Sequence, residues 1–133
     1  MGVTPFESLD FVYTPSENVA RDLASFETML GGRVAFAIED GGTRVAAVEL
    51  SEGGPLVLLT DHLSGEGQIL VYRVADLLET IAALEDRGWE RGRSLEIPQG
   101  PCVSFSLAGG HRIALYQLDR PEVGASFQGR RDF

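Results

Sequence analysis

Short runs of alternating large and small residues, separated by glycine pairs and interrupted twice by an amphipathic stripe, organise this chain. The first run is Leu9-Asp10-Phe11-Val12-Tyr13, a β-favouring stretch stopped by Thr14-Pro15. Ser16 then stands where a helix N-cap belongs, and Val19, Leu23, Phe26 and Leu30 recur at spacings of four, three and four. That spacing predicts one apolar helix face, ended by Gly31-Gly32. Residues 34–38 alternate large and small, as a strand with one face on a core or cavity requires. Asp40-Gly41-Gly42 turns the chain into a strand over 44–50, and Glu52-Gly53-Gly54 into another over 55–60. The predicted order is β-α-β-β-β.

The second half repeats that order. Ile69-Leu70-Val71-Tyr72 reads as a strand, and Asp76 with Glu79 three residues on forms a capping-box-like helix start. Leu77, Leu78, Ile81 and Leu84 make the buried stripe, closed by Gly88. A strand from Trp89, one over 102–107, the turn Gly109-Gly110 and a strand over 112–118 follow. Along 102–107 the large Val103, Phe105 and Leu107 alternate with the small Cys102, Ser104 and Ser106. Phe11-Val12-Tyr13 is echoed by Leu70-Val71-Tyr72, an internal repeat of about 57 to 59 residues. Two such units lay curved sheets around a shared cavity. The expected architecture is α+β, two βαβββ modules in a single domain over 1–133, with modules at about 6–61 and 67–119. The tail, 120–133, shows no periodicity and reads as a surface segment or an arm that covers a partner.

Composition narrows the function classes. With 133 residues, 44% hydrophobic and 23% charged, the chain is long enough to bury a real core. Eleven basic against twenty acidic side chains give a net charge of −9, which disfavours both a nucleic-acid surface and anionic lipid. All the basic residues are arginine, so lysine Schiff-base chemistry and lysine-based phosphate loops are excluded. Cys102 is the single cysteine, which rules out an intrachain disulfide and a cysteine zinc cluster. Met1-Gly2-Val3-Thr4-Pro5-Phe6 lacks the features of a signal peptide and of a myristoylation site. No apolar stretch approaches the roughly 18 residues of a membrane span. The expected location is the cytoplasm.

The duplicated unit, with a first helix ending in Leu30-Gly31, resembles the vicinal oxygen chelate superfamily, which includes glyoxalases, extradiol dioxygenases and bleomycin-resistance proteins. The stretches that carry the resemblance are Leu9-Asp10-Phe11-Val12-Tyr13, Ser25-Phe26-Glu27-Thr28-Met29-Leu30-Gly31, Val74-Ala75-Asp76-Leu77 and Arg112-Ile113-Ala114-Leu115-Tyr116-Gln117. They span about residues 6 to 118. The resemblance implies the glyoxalase/bleomycin-resistance fold, a cavity and a homodimer. It also implies a divalent metal held by His, Glu or Gln on the first and last strand of each module. Those positions fall here on Phe11, Leu58, Ile69 or Leu70, and Ala114. None of these side chains has a donor atom for a metal, so no metal site and no cofactor is expected.

Other candidates are few. His62 and His111 follow turns and would make either solvated imidazoles or a non-standard metal site. Cys102 reads as a small buried thiol or a nucleophile. Glu39, Asp40, Glu49 and Glu52 sit at strand ends, as solvated groups or as an acid/base pair. The glycine pairs precede strands and not helices, so they lack phosphate-loop geometry. Arg87, Arg91 and Arg93, with Arg130 and Arg131 in the tail, offer either a screened surface or a grip on an anion. The aromatics Phe11, Tyr13, Phe36, Tyr72, Trp89, Phe105 and Tyr116 all fall on predicted strands, where they either line a cavity or fill the core.

The leading expectation is a metal-free protein that binds a small, partly aromatic molecule, as the antibiotic-binding members of the resembled superfamily do. Its site residues would be Phe11, Tyr13, Phe36, Leu58, Tyr72, Trp89, Phe105, Ala114 and Tyr116. The alternatives are a glyoxalase- or dioxygenase-like enzyme and a structural or regulatory dimer module.

Overall fold

The structure, a computed structural model, describes residues 6–62, 67–107 and 109–133; the N-terminal expectations at 1–5 lie outside them. The elements run β1 (Ser8–Pro15), α1 (Val19–Thr28), β2 (Arg33–Asp40), β3 (Thr43–Glu49), β4 (Leu56–Thr60), β5 (Ile69–Val74), α2 (Leu77–Glu85), β6 (Ser94–Ile97), β7 (Gly100–Ser106), β8 (Arg112–Gln117) and α3 (Pro121–Phe127). The strands form one eight-stranded sheet in the order β2-β3-β4-β1-β5-β8-β7-β6. Each βαβββ module supplies half of it, and the halves join through the antiparallel pair of β1 and β5. The expected α+β architecture is therefore present, with both modules paired inside one chain.

Strand register makes the internal twofold explicit. Tyr13 pairs with Ile69 and Phe11 with Val71, so a rotation that exchanges the modules carries Phe11 onto Ile69 and Tyr13 onto Val71. In β4 and β8, Tyr13 faces Leu58 and Val71 faces Ala114, which makes Leu58 and Ala114 equivalent. Leu56 and Arg112 are equivalent by the same rule.

Period-two alternation sends each strand's residues to two different environments. On one face α1 buries Val19 and Leu23 against Ala37, Ala46, Val48 and Leu59. On that face α2 buries Leu77 and Ile81 against Val74, Val103, Phe105 and Leu115. The opposite, inner face carries Phe11 and Tyr13 at its centre, shared between the Ala47–Leu58 cluster and the Val71–Ala114 cluster.

Three local expectations change. Asn18, not Ser16, caps α1, its Oδ1 accepting the Arg21 N–H at 3.0 Å. Pairing of β1 with β4 runs on to Pro15, and Ser16 remains tied to it by donating its N–H to the Thr60 carbonyl. Leu30 is not in the α1 stripe: the helix ends at Thr28 and Leu30 is 61% exposed. A close approach forces that exit, since a Cβ on Gly32 would lie 2.5 Å from Val48 Cγ1. In α2, Leu78 is 75% exposed and Thr80 takes the buried place, while the Asp76 cap on the Glu79 N–H is as expected.

The tail is ordered by its own chain. Asp119 and Arg120 donate their N–H groups to Gln99 O, and the Arg120 guanidinium grips the carbonyls of Ile97 and Pro98 on the β6–β7 hairpin. The helix α3 then leads to β2, where Phe127 meets Phe36 of the inner face at 5.5 Å. Beyond it the backbone runs along the β2 edge: Ala37 N–H donates to Arg130 O and Asp132 N–H donates to Ala37 O. Arg131 reaches Glu27 of α1 with two 3.0 Å hydrogen bonds, and Phe133 packs on the α1 core beneath the Arg44 guanidinium. Among the described residues no helix is long and apolar enough to cross a membrane.

Candidate functional site

The second module's half of the inner face is open. A cavity of about 460 Å³ lies there, within the roughly 300–1,000 Å³ typical of small-molecule sites. Its floor is made where strand parity turns Ile69 and Val71 of β5 and Ala114 of β8 inward beside Tyr13 of β1. The wall is β7, and here the alternation seen in the sequence has its cause. Val103 and Phe105 pack into the α2 core, so Cys102, Ser104 and Ser106 face the cavity and leave it room. Ile97 of β6 and the preceding Gly92 and Arg93 complete the wall. Gly92 is required, because a Cβ there would lie 2.1 Å from Ser104 O. The close approach lets the Ser104 N–H donate to Arg93 O at 2.8 Å and fixes the arginine's backbone at the rim.

The first module's equivalent half is filled. Leu58 stands where the second module has Ala114, Leu56 where it has Arg112, and the Phe36–Phe127 pair lies over Ala47. At the matched Leu58/Ala114 position the smaller side chain stands in the open half and leaves it room.

Charge in the cavity is unlike charge on the rest of the chain. Arg93, Arg112 and His62 line it, and no carboxylate does, among the described residues. His62 Nδ1 lies 2.5 Å from the buried Thr60 hydroxyl. Arg112 donates to the Gly67 carbonyl. On the floor, burial, with a smaller contribution from Cys102, raises the Tyr13 phenol to about 12. Burial pushes the Cys102 thiol to about 11. Both groups are therefore protonated at neutral pH, and Tyr13 has no hydrogen-bond partner among the described residues.

The nine side chains expected at the site divide between three places. Tyr13 and Ala114 line the cavity. Phe11, Phe36, Leu58 and Tyr116 share the inner face but are packed, Phe11 against Tyr116 at 5.6 Å. The Tyr116 hydroxyl donates to Asp10, and burial first, then that bond, raises its pKa. Tyr72, Trp89 and Phe105 lie with α2: Trp89 meets Phe105 edge-on at 3.9 Å and Tyr72 stacks on Phe6. Phe105 also lines the cavity. Trp89 precedes β6 and is not in a strand.

Arg112, Val71, Ile97 and Ser106 are cavity residues that the sequence reading did not select. Parity was the available signal, since Arg112 lies two residues before Ala114 on the same strand face.

Four inward positions would have to hold the metal that the resemblance implies. The twofold register selects Ile69 over Leu70, so they are Phe11, Leu58, Ile69 and Ala114. All four are apolar and do not fit a divalent ion. Among the described residues no group of three His, Cys, Asp or Glu side chains is placed to hold one. His111 is exposed in the β7–β8 turn and outside the cavity. Glu39 and Glu49 pair with Arg44 and Arg33 on the first module. Arg91 pairs with Glu85, Arg130 with Asp132 and Arg131 with Glu27, which leaves Arg93 as the member of the arginine set that reaches the cavity.

Two βαβββ modules, joined through their first strands with the α1 and α2 helices on one face, make the glyoxalase/bleomycin-resistance fold. Methylmalonyl-CoA epimerase from Mycobacterium tuberculosis superposes with a TM-score of 0.74 at 17% identity, over 94% of this chain and 96% of that one. A hypothetical protein from Bacillus halodurans gives 0.70 at 14% identity, over 85% and 95%. A methylmalonyl-CoA epimerase in complex with methylmalonyl-CoA and NH4+ gives 0.66 at 15% identity, over 86% and 96%. At such identities the likeness is one of fold. No protein-family model and no curated protein matches the sequence.

Proposed function

We propose that the chain is a metal-independent binding protein that holds a small molecule with a flat apolar body in the second module's cavity. The observation that carries this reading is the cavity's chemistry: an apolar floor, no carboxylate among the described residues that line it, and two lining groups that stay protonated. Proton abstraction needs a base with a pKa near the working pH. Tyr13 at about 12 and Cys102 at about 11 do not supply one, yet the Tyr13 hydroxyl is available to orient a ligand. In the same reading the chain works as a homodimer in the cytoplasm.

The test is calorimetry with a panel of planar ligands against the wild type, Ala114→Phe and Ser106→Trp. Both substitutions project into the cavity, the second from an exposed rim position. Binding that either one abolishes supports the reading; binding that both leave intact places the ligand elsewhere and ends it. A second reading, acid/base catalysis, rests on His62 at the mouth and on the epimerase names of the structural neighbours. Solvent-deuterium incorporation into methylmalonyl-CoA that His62→Ala removes would favour it.

A further inference from the structure

We propose, resting on the binding reading above, that the cavity selects ligands carrying an oxyanion, a carboxylate or a phosphate, with Arg93 as the recognising group in a cavity that Arg112 also lines. The floor of Ile69, Val71 and Ala114 then takes the apolar body. Three observations lead here. The chain carries a net −9, yet this concave surface is lined by two guanidiniums and by no carboxylate among the described residues. An anion approaching from afar meets a repulsive field, so its selection has to be local, inside a Debye length of about 10 Å at 0.1 M salt.

The second observation is how the arginines are used elsewhere. Arg21, Arg33, Arg44, Arg73, Arg91, Arg130 and Arg131 each have a carboxylate within 4 Å, as expected when acids outnumber bases. Arg93 has none among the described residues, although Arg91, two positions before it, pairs with Glu85. Its backbone is nonetheless fixed, because its carbonyl accepts the Ser104 N–H and Gly92 permits the approach. A guanidinium anchored at its base and open at its tip is preorganised for a fork of hydrogen bonds to a planar carboxylate or a phosphate.

The third is contrast within the fold. Arg112 occupies the position that the twofold makes equivalent to Leu56, so the charge appears only in the open half. The Ser106 hydroxyl and the Tyr13 phenol, both cavity-lining, add uncharged donors that an oxyanion accepts from.

The experiment is isothermal calorimetry of the full chain with 1-naphthoate, 1-naphthyl phosphate and the neutral 1-naphthamide, which share one aromatic body. At least one anion should bind about tenfold tighter than the amide, the size expected for a charge-assisted contact at a partly exposed rim. The tighter of the two anions identifies the head group. Arg93→Gln should remove most of that preference and leave amide binding as it was. Because Arg93 is exposed, the variant tests charge without disturbing the core. If the amide binds as tightly as both anions, or Arg93→Gln keeps the preference, the inference fails and the cavity reading stands. If none of the three binds, or Ala114→Phe and Ser106→Trp leave all binding intact, the cavity reading falls and this inference with it.

Discussion

Alkaline pH tests how dry the cavity floor is, and the sequence makes the test unusually clean. A typical protein titrates its lysines near 10.4, but this one has none. With no lysine titration to mask them, the protons lost from Cys102 and Tyr13 as pH rises from 9 to 12 stand out. Burial raises the folded Tyr13 from 10.0 to about 12, so the native state favours the neutral phenol. Its contribution is complete below pH 10 and is lost as pH rises through 10 to 12. At about 1.4 kcal/mol per pKa unit, the loss is about 2 to 3 kcal/mol. Cys102 behaves alike one unit lower, between 9.0 and about 11, and Tyr116, also raised, adds to the loss above pH 10. Tyr13→Phe isolates one of these terms. With no partner for the hydroxyl among the described residues, the substitution should leave neutral-pH stability within about 0.5 kcal/mol. Urea unfolding followed by circular dichroism, at neutral pH and near pH 12, should show the wild type losing about 2 to 3 kcal/mol more than Tyr13→Phe. Parallel losses in the two proteins would mean that water already reaches the phenol, and the argument for a base-free apolar floor would go with it.

Two further outcomes follow from backbone geometry. Deleting residues 129–133 should speed amide hydrogen exchange at Ala37 and Glu39 about tenfold or more, because Arg130 O and Asp132 Oδ2 accept those N–H groups. The amides of β1 and β5 should keep their protection, and uniform loss across the sheet would refute a local role. Gly92→Ala should cost about 1–3 kcal/mol in thermal or denaturant unfolding, since its Cβ meets Ser104 backbone. Gly124→Ala, in open space on α3, should be neutral or stabilising by up to about 1 kcal/mol, and equal effects at the two sites would overturn the packing argument.

Much of the fold was legible because its signals are local. The Asp76 cap, the glycine turns and the strand alternation of residues 102–106 each depend on neighbours in sequence and appear where the pattern put them, while Leu107 lies beyond the strand and is exposed. The errors come from long-range contacts. Leu30 fits a helical period, but packing of Gly32 on Val48 ends the helix first. The tail lacks periodicity because it is held by the β6–β7 hairpin at one end and β2 at the other. In the site, strand aromatics were visible but their faces were not. Tyr72 and Phe105 belong to the helix face, and Trp89 to a link that never becomes a strand. Arg112 escaped notice because it opens β8, where a charged residue looks like ordinary solvation, although its parity with Ala114 puts it on the cavity face.

The residues from Gly129 to Asp132 also matter for behaviour in a crowded solution. An open sheet ends in rows of unpaired N–H and C=O groups, and such a row recruits strands from other molecules. On the β2 side this chain supplies its own cover, so alternate backbone groups of Ala35 and Ala37 are already satisfied. A chain shortened at this end, by design or by a protease, presents an apolar strand with a bare rim, and clumping at high concentration is the behaviour to anticipate. Expression tags are therefore better kept away from Phe133, whose ring and neighbours hold that cover in place.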